Sequence, residues 1–506
     1  MPDVTNKPIL KLRMIAGLFE ALHEHDILYC HWKSNEHLGA SMVGETDLDV
    51  LFAENQKEKL EALLHQLGFK RFEAIKQKRY KDIVDFIALD PDSGKIVHLH
   101  THYRLTMGEP YLKGYQFNFD IEEIILESRS FDKDFGIYCI QSSFELILLF
   151  LRESLKFRHR DIILMHLSAR LRSNESVLRE HRWLKSRTTD AEVLAALKVL
   201  FDDHQALYQL MTGEFSPRQL YVLSALIKTG NKVKRLYSPL KSIVLRWYRE
   251  ATVVISRNLA IFFDLPILFK RINPRGGVVV AVIGADGAGK STIAENLKRT
   301  FEGKLDLYKI YFGRGDGRAS WSRKLLYSAK TRLAPVTSTG PKNGKANGQK
   351  RKKGFIQNVY KSIEALLVAR EKRHNMKLMK AAKRKGALVI CDRYPQNQIR
   401  GYNDGPLLSG LQDSTNPLLR AIAKMESGIY AAAEDHPPDI LFKLDVDPEI
   451  SERRKPGEMS AEKLKKKING IKQIRLNNAC KVITVDATRP LNEVLYLIKK
   501  EIWNAL

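Results

Sequence analysis

Residues 284–291 read Gly284-Ala285-Asp286-Gly287-Ala288-Gly289-Lys290-Ser291, and Thr292 follows. This is the pattern G-x-x-x-x-G-K-[ST], which suits a backbone that must wrap a polyphosphate. Glycine lets the chain curl so that successive N–H groups point inward. A helix that starts at the turn adds its positive end. Lys290 has the reach to meet the β- and γ-phosphates, and the Ser291 hydroxyl is a Mg²⁺ ligand. The expected ligands are ATP and Mg²⁺, bound through Gly284, Asp286, Gly287, Ala288, Gly289, Lys290, Ser291 and Thr292.

Two later stretches carry matching chemistry. Ala387–Cys391 is a buried-strand pattern that ends in Asp392-Arg393-Tyr394-Pro395. A carboxylate at that end of a parallel strand lies where ligands bind, so Asp392 is expected to hold Mg²⁺ or its water shell. Arg393 offers a planar fork for an acceptor phosphate. Leu444-Asp445-Val446-Asp447-Pro448-Glu449 marks a strand end and a new helix, with Arg453 and Arg454 upon it. Arginines there would cover the transferring phosphoryl group, neutralise its charge and exclude water.

A separate constellation lies near the start. Lys33-Ser34-Asn35 precedes Asp47-Leu48-Asp49. Two acids one residue apart on a strand share a face and can share a divalent ion. Ile96-Val97-His98-Leu99-His100-Thr101-His102 sets three histidines on one strand face. These are either replacement metal ligands or ordinary packed and surface histidines. Asp85 is the nearest carboxylate on a neighbouring strand.

These groups need a scaffold. Val278–Ile283, Leu305–Phe312, Ala387–Cys391, Ile440–Val446 and Lys481–Val485 read as buried strands separated by helical stretches, the alternation of a parallel α/β sheet. Residues 1–140 mix strand and helix, with strands expected at Lys81–Leu89 and Lys95–Leu105. Residues 141–270 read as a basic helical connector, and residues 271–506 as the sheet domain. Residues 337–354, TSTGPKNGKANGQKRKKG, have little apolar content and no period, which predicts a solvated basic loop or one that binds phosphate or nucleic acid.

The loop with its internal Asp286-Gly287, then Asp392-Arg393-Tyr394, then Leu444–Glu449 with Arg453 and Arg454, resembles the thymidylate kinase family from about Gly276 to Leu506. The resemblance implies a nucleoside-monophosphate-kinase fold, a dimer, and a small phosphate acceptor. It assigns Asp286 to the acceptor's sugar hydroxyl, Arg393 to the acceptor phosphate, and Arg453 or Arg454 to the transferring group. The chain departs from the family after the second strand, where Tyr311-Phe312-Gly313-Arg314 replaces an Arg-Glu-Pro-Gly-like segment. Similar kinase-like domains accompany surface-polysaccharide synthesis, which adds a sugar phosphate to the candidate acceptors. The N-terminal constellation is similar to the minimal nucleotidyltransferase fold, with Lys33 in place of its first glycine. That likeness implies metal at Asp47 and Asp49 and leaves open turnover or simple nucleotide binding. The expected fold class is α/β: a phosphate-loop kinase-like parallel sheet flanked by helices, with an N-terminal α+β nucleotidyltransferase-like domain and a helical connector.

Lys and Arg total 84 against 58 Asp and Glu, a formal charge of +26. The excess favours an anionic partner. Besides ATP and the acceptor, it admits an anionic membrane surface or nucleic acid, although no nucleic-acid module is present. Cys30, Cys139, Cys391 and Cys480 form no C-x-x-C pair, which argues against a disulfide framework and for a reducing cytoplasm. The N-terminal stretch lacks a signal-peptide pattern. Arg257 and Asp264 interrupt the most apolar window, Ala251–Phe269, which argues against a span and leaves open a helix lying at the inner face of a membrane.

Overall fold

A computed structural model describes residues 11–158, 161, 175–212, 215–263, 265–314, 346–399, 404–457, 460–476 and 479–506, with the backbone alone over 346–359. The chain divides into two compact units, Met1–Asp264 with Phe269–Pro274, and Leu265–Leu268 with Arg275–Leu506.

The first unit holds β1 (Tyr29–His31), β2 (Leu48–Phe52), β3 (Lys70–Ala74), β4 (Ile83–Leu89), β5 (Ile96–His102), β6 (Tyr115–Phe117), β7 (Ser130–Asp132), β8 (Ile137–Cys139), β9 (Val233–Arg235) and β10 (Arg271–Ile272). Eight of them form one mixed sheet in the order β10-β3-β4-β5-β2-β1-β8-β7, while β6 pairs with β9. The two-residue period of a strand sorts the faces. Leu48, Val50, Val97 and Leu99 pack with Ile15, Leu18 and Leu22 of the helix Arg13–Glu24 and with Leu60 and Leu64 of Lys57–Gln66. The acids and histidines that alternate with these residues therefore share the other face. Helices between Ser142 and Thr229 close a second core, in which Phe144, Leu151, Leu197 and Leu223 meet Trp32 and Leu51. One helix in this set, Asp190–Leu200, opens with a Thr189–Glu192 capping box.

The second unit holds β11 (Val278–Gly284), β12 (Leu307–Tyr311), β13 (Leu388–Asp392), β14 (Ile440–Asp445) and β15 (Lys481–Asp486). They form a parallel sheet in the order β12-β13-β11-β14-β15. Every residue of β11 is buried, as a central strand covered on both faces requires. The five strands match those read from the sequence to within two residues at each end. The helix Ala346–Arg384 begins inside the stretch expected to be a solvated loop, and the rest of that stretch, 337–345, lies outside the described residues. Among the described residues no helix is long and apolar enough to cross a membrane.

Candidate phosphate-transfer site

Strand β11 ends at Gly284, and the chain turns through residues 285–289 into the helix Lys290–Phe301. Gly287 and Gly289 take φ of 81° and 90°, a region that L side chains enter at a cost. A Cβ on Gly287 would also stand 2.6 Å from the carbonyl oxygen of Ser451. No side chain caps the helix N-terminus. The glycine turn and the uncapped helix end together form a ready seat for an anion.

Lys290, the first helical residue, is buried and donates to the Ala285 carbonyl at 2.7 Å. Burial, reinforced by the Arg393 charge, pushes its ammonium down to about 8 against the pull of Asp286, Asp404 and Asp392. Asp286 lies 3.9 Å from the Lys290 ammonium and 3.7 Å from Arg393, and it accepts from Lys467 Nζ at 2.5 Å. Burial alone would raise the Asp286 carboxyl, but the Lys467 hydrogen bond and the charges of Lys290 and Arg393 outweigh it and hold it low. Ser451 donates its hydroxyl to the Asp286 carbonyl, which fixes the helix Pro448–Arg454 against the loop.

Asp392 is the last residue of β13, in register with Val282 of β11 and Tyr311 of β12. It is buried, and its Oδ1 has no hydrogen-bond partner among the described residues. A buried carboxylate oxygen left in that state fits a cation or the water around one. The next residue, Arg393, has φ 74°, a strain of about 1–2 kcal/mol. Its guanidinium stands between Asp286 and Asp404, 3.6 Å from the latter, and over the Tyr311 ring at 5.9 Å. Both ion pairs are too long for hydrogen bonds, and its Nε has no hydrogen-bond partner among the described residues. Donor capacity therefore remains for an incoming phosphate. Gly313 makes this packing feasible, because a Cβ there would lie 2.2 Å from Tyr311 Oη and 2.8 Å from Arg393 Cδ.

Three residues that the sequence reading did not single out as site groups complete the surroundings. Lys372, buried on the helix Ala346–Arg384, donates to the Asp404 carbonyl at 3.0 Å and lies 4.8 Å from the Tyr430 ring. Burial brings it down to about 8, with Asp404 opposing and Arg314 and Arg393 assisting. Glu426, buried, accepts from the backbone N–H groups of Leu407 and Leu408, both at 2.8 Å, and so anchors the loop after Asp404. Lys467 is the cation brought to Asp286. Arg454 instead donates to the Ala487 carbonyl at 3.0 Å, and Arg453 is exposed. Ser291 and Thr292 stand exposed on the first helical turn. The sequence signals for Lys372 and Lys467 were faint: each is one lysine among many on a basic helix, and only tertiary packing distinguishes it.

In the first unit, Asp49 of β2 stands in register with His100 of β5, which is in turn paired with Asp85 of β4. His100 Nδ1, His102 Nε2 and Lys33 Nζ converge on Asp49 Oδ1 at 3.0, 3.5 and 3.0 Å. Asp47 is drawn to His98 Nδ1 at 2.9 Å, and His98 Nε2 meets Asp85 at 2.8 Å. Arg271 adds a contact to Asp85 at 2.9 Å. His102 is buried, and its Nδ1 has no hydrogen-bond partner among the described residues. The ligand atoms of Asp49, His100 and His102 all lie within 4.8 Å of one another. Asn35 has a structural part: its backbone and side-chain N–H groups donate to Glu145 at 3.0 and 2.7 Å, which ties the Lys33–Asn35 turn to the helix Ser142–Ser154.

No protein-family model matches the chain. The chain is similar to the Escherichia coli K12 protein "Uncharacterized ATP-binding protein YghR", at 27% identity over 44% of this chain and 86% of that protein. It is also similar to "Uncharacterized ATP-binding protein YghS" of the same strain, at 26% identity over 49% of this chain and 98% of the relative. A Methanosarcina barkeri protein described as "Probable thymidylate kinase" aligns at 27% identity over 42% of this chain and 89% of its own length. Each likeness spans less than half of the chain and most of the relative.

Proposed function

We propose that the second unit is an ATP- and Mg²⁺-dependent phosphotransferase acting on a nucleoside monophosphate or a related small phosphorylated acceptor, sugar phosphates included. One observation carries this reading: the glycine turn 284–289 and the buried, unpartnered Asp392 oxygen stand at the ends of adjacent parallel strands. The loop N–H groups and Lys290 would hold the β- and γ-phosphates. Ser291 and Asp392 are the residues that would hold Mg²⁺, which supplies charge neutralisation when bound. Arg393 and Lys372 lie where an acceptor phosphate would need cations, and Lys467 adds charge beside Asp286. An acceptor oxygen bonds to the γ-phosphorus as the bond to the β–γ bridging oxygen breaks. ADP leaves, and any proton on the acceptor oxygen is released.

The names of the relatives, for ATP binding and for thymidylate kinase, support the nucleotide and the reaction class. The Tyr311–Arg314 segment supports an acceptor class wider than thymidylate. The test is a panel of nucleoside monophosphates and sugar phosphates incubated with ATP and Mg²⁺ and scored by mass. One acceptor should gain a phosphoryl group with the wild-type chain and not with Lys290→Ala. Transfer undiminished in that variant would remove the assignment.

For the first unit we infer a nucleotidyltransferase-like fold that binds a divalent ion through Asp49, His100 and His102, with Asp47 beside them. The specific support is the convergence of the Asp49, His100 and His102 ligand atoms within 4.8 Å of one another. Imidazole donors favour a transition ion such as Zn²⁺ or Ni²⁺ over Mg²⁺. The Lys33 ammonium already contacts Asp49, so it competes for the place. Titration of Zn²⁺ should give a saturable isotherm that strengthens in Lys33→Ala and vanishes in Asp47→Asn with Asp49→Asn. An unchanged isotherm in the double variant rules the site out.

A further inference from the structure

The helix Pro239–Phe263 is 25 residues long, roughly 37 Å at 1.5 Å per residue. Its polar side faces its own unit. Arg246 is buried and ion-paired with Glu109, Arg249 donates to the Tyr111 carbonyl at 3.1 Å, and Glu250 lies 3.7 Å from Arg158. An ordinary surface helix is attached by its apolar stripe. This one is attached by its charged stripe, so the apolar one is turned outward.

The outward apolar residues lie on one helix face, at spacings of three, four and seven. Leu240, Val244, Trp247, Tyr248, Ile255 and Phe262 form a continuous band, with exposures of 74% at Leu240, 63% at Trp247 and 85% at Phe262. Such a contiguous apolar band on a basic chain marks an interaction surface. Its flanks indicate the partner. Lys241 is exposed beside Val244 at one edge of the band, and Arg257, on the charged stripe, is exposed one turn from Val254 and Ile261, which extend the apolar face toward it. The helix carries four cations and a single acid, Glu250, which Arg158 engages. Trp and Tyr among aliphatic and Phe side chains, with basic margins, are the composition of a helix lying in the headgroup region of an anionic bilayer.

We propose that the helix Pro239–Phe263 docks the protein on an anionic lipid surface, lying in the interface plane. It does not span the bilayer, since no described helix is long and apolar enough to do so. Lipid headgroup phosphates would meet Lys241 and Arg257 while Trp247, Ile255 and Phe262 enter the acyl boundary.

The test is flotation of the full chain with phosphatidylcholine vesicles, with and without phosphatidylglycerol, alongside light scattering of the lipid-free protein. The wild type should float with the anionic vesicles and be released as salt rises. Trp247→Glu with Phe262→Glu should lower partitioning more than tenfold with an unchanged circular dichroism melt. Lys241→Ala and Arg257→Ala should each cost about fivefold on the anionic vesicles. Equal flotation of the Trp247/Phe262 variant would overturn the proposal. So would an absence of wild-type flotation together with a dimer that the same variant dissociates, which would make the band a self-association surface.

Discussion

Lys467 Nζ lies 2.5 Å from Asp286 Oδ2, and the same carboxylate faces Lys290 at 3.9 Å and Arg393 at 3.7 Å. Three cations from three separate elements thus share one acid. Without it they would repel one another in a partly buried site. A bound phosphate would offer them a second anion, so this acid holds the site's charge together in the absence of ligand.

The contact distinguishes Lys467 from the arginines of the neighbouring helix. Lys467→Ala is expected to lower kcat by about 10- to 100-fold through lost transition-state charge stabilisation. Arg454→Ala, which removes a bond to the Ala487 carbonyl, should change it less than about threefold. Steady-state kinetics on the acceptor found in the panel compares the two.

Gly287 is constrained by both its φ and its neighbour Ser451. Gly287→Ala should destabilise the protein by about 2 kcal/mol or more, from the left-handed backbone cost plus a clash with a backbone oxygen. Urea unfolding followed by circular dichroism measures it. Gly303→Ala, where the added Cβ meets nothing within 4 Å, is the control and should leave the midpoint nearly unmoved.

The second sheet and its glycine turn were legible because their signals are local. An unbroken apolar strand, a glycine-rich turn and an amphipathic helix follow one another directly from Val278 to Phe301. The carboxylate Asp392 was legible for the same reason, since it ends an apolar strand. Lys372, Asp404 and Lys467 were not, because they reach the site through long-range packing that no local period encodes. The apolar window Ala251–Phe269 was visible in the sequence. That a charged side attaches the helix Pro239–Phe263, leaving its apolar side outward, depends on Glu109, Tyr111 and Arg158, which are distant in the chain.

Acidity separates binding from stability. The Lys290 and Lys372 ammoniums sit near 8, below the ordinary lysine value of 10.5. Both are charged below pH 8, where a triphosphate or acceptor phosphate attracts them, so nucleotide affinity should fall as pH rises above 8. The unliganded fold has the opposite dependence. Between pH 8 and 10.5 the unfolded chain holds more protons on these two groups, so their contribution to stability increases with pH across that window. Binding isotherms and melts of wild type against Lys290→Met with Lys372→Met, compared at pH 7 and pH 9, should show both trends weakened in the variant.

Asp392 Oδ1 is buried with no hydrogen-bond partner among the described residues. Asp392→Asn should weaken Mg²⁺-dependent nucleotide binding by about tenfold or more, while binding of ATP with EDTA present changes little. A loss of equal size in both conditions would give Asp392 a structural part instead.

The most direct test is calorimetric titration of the full chain with ATP in the presence of Mg²⁺. A backbone cradle at 284–291 predicts saturable heat with one nucleotide per chain, abolished by Lys290→Ala in a protein that melts as the wild type does. Absence of binding heat in the wild type, or the same isotherm in the variant, would contradict it.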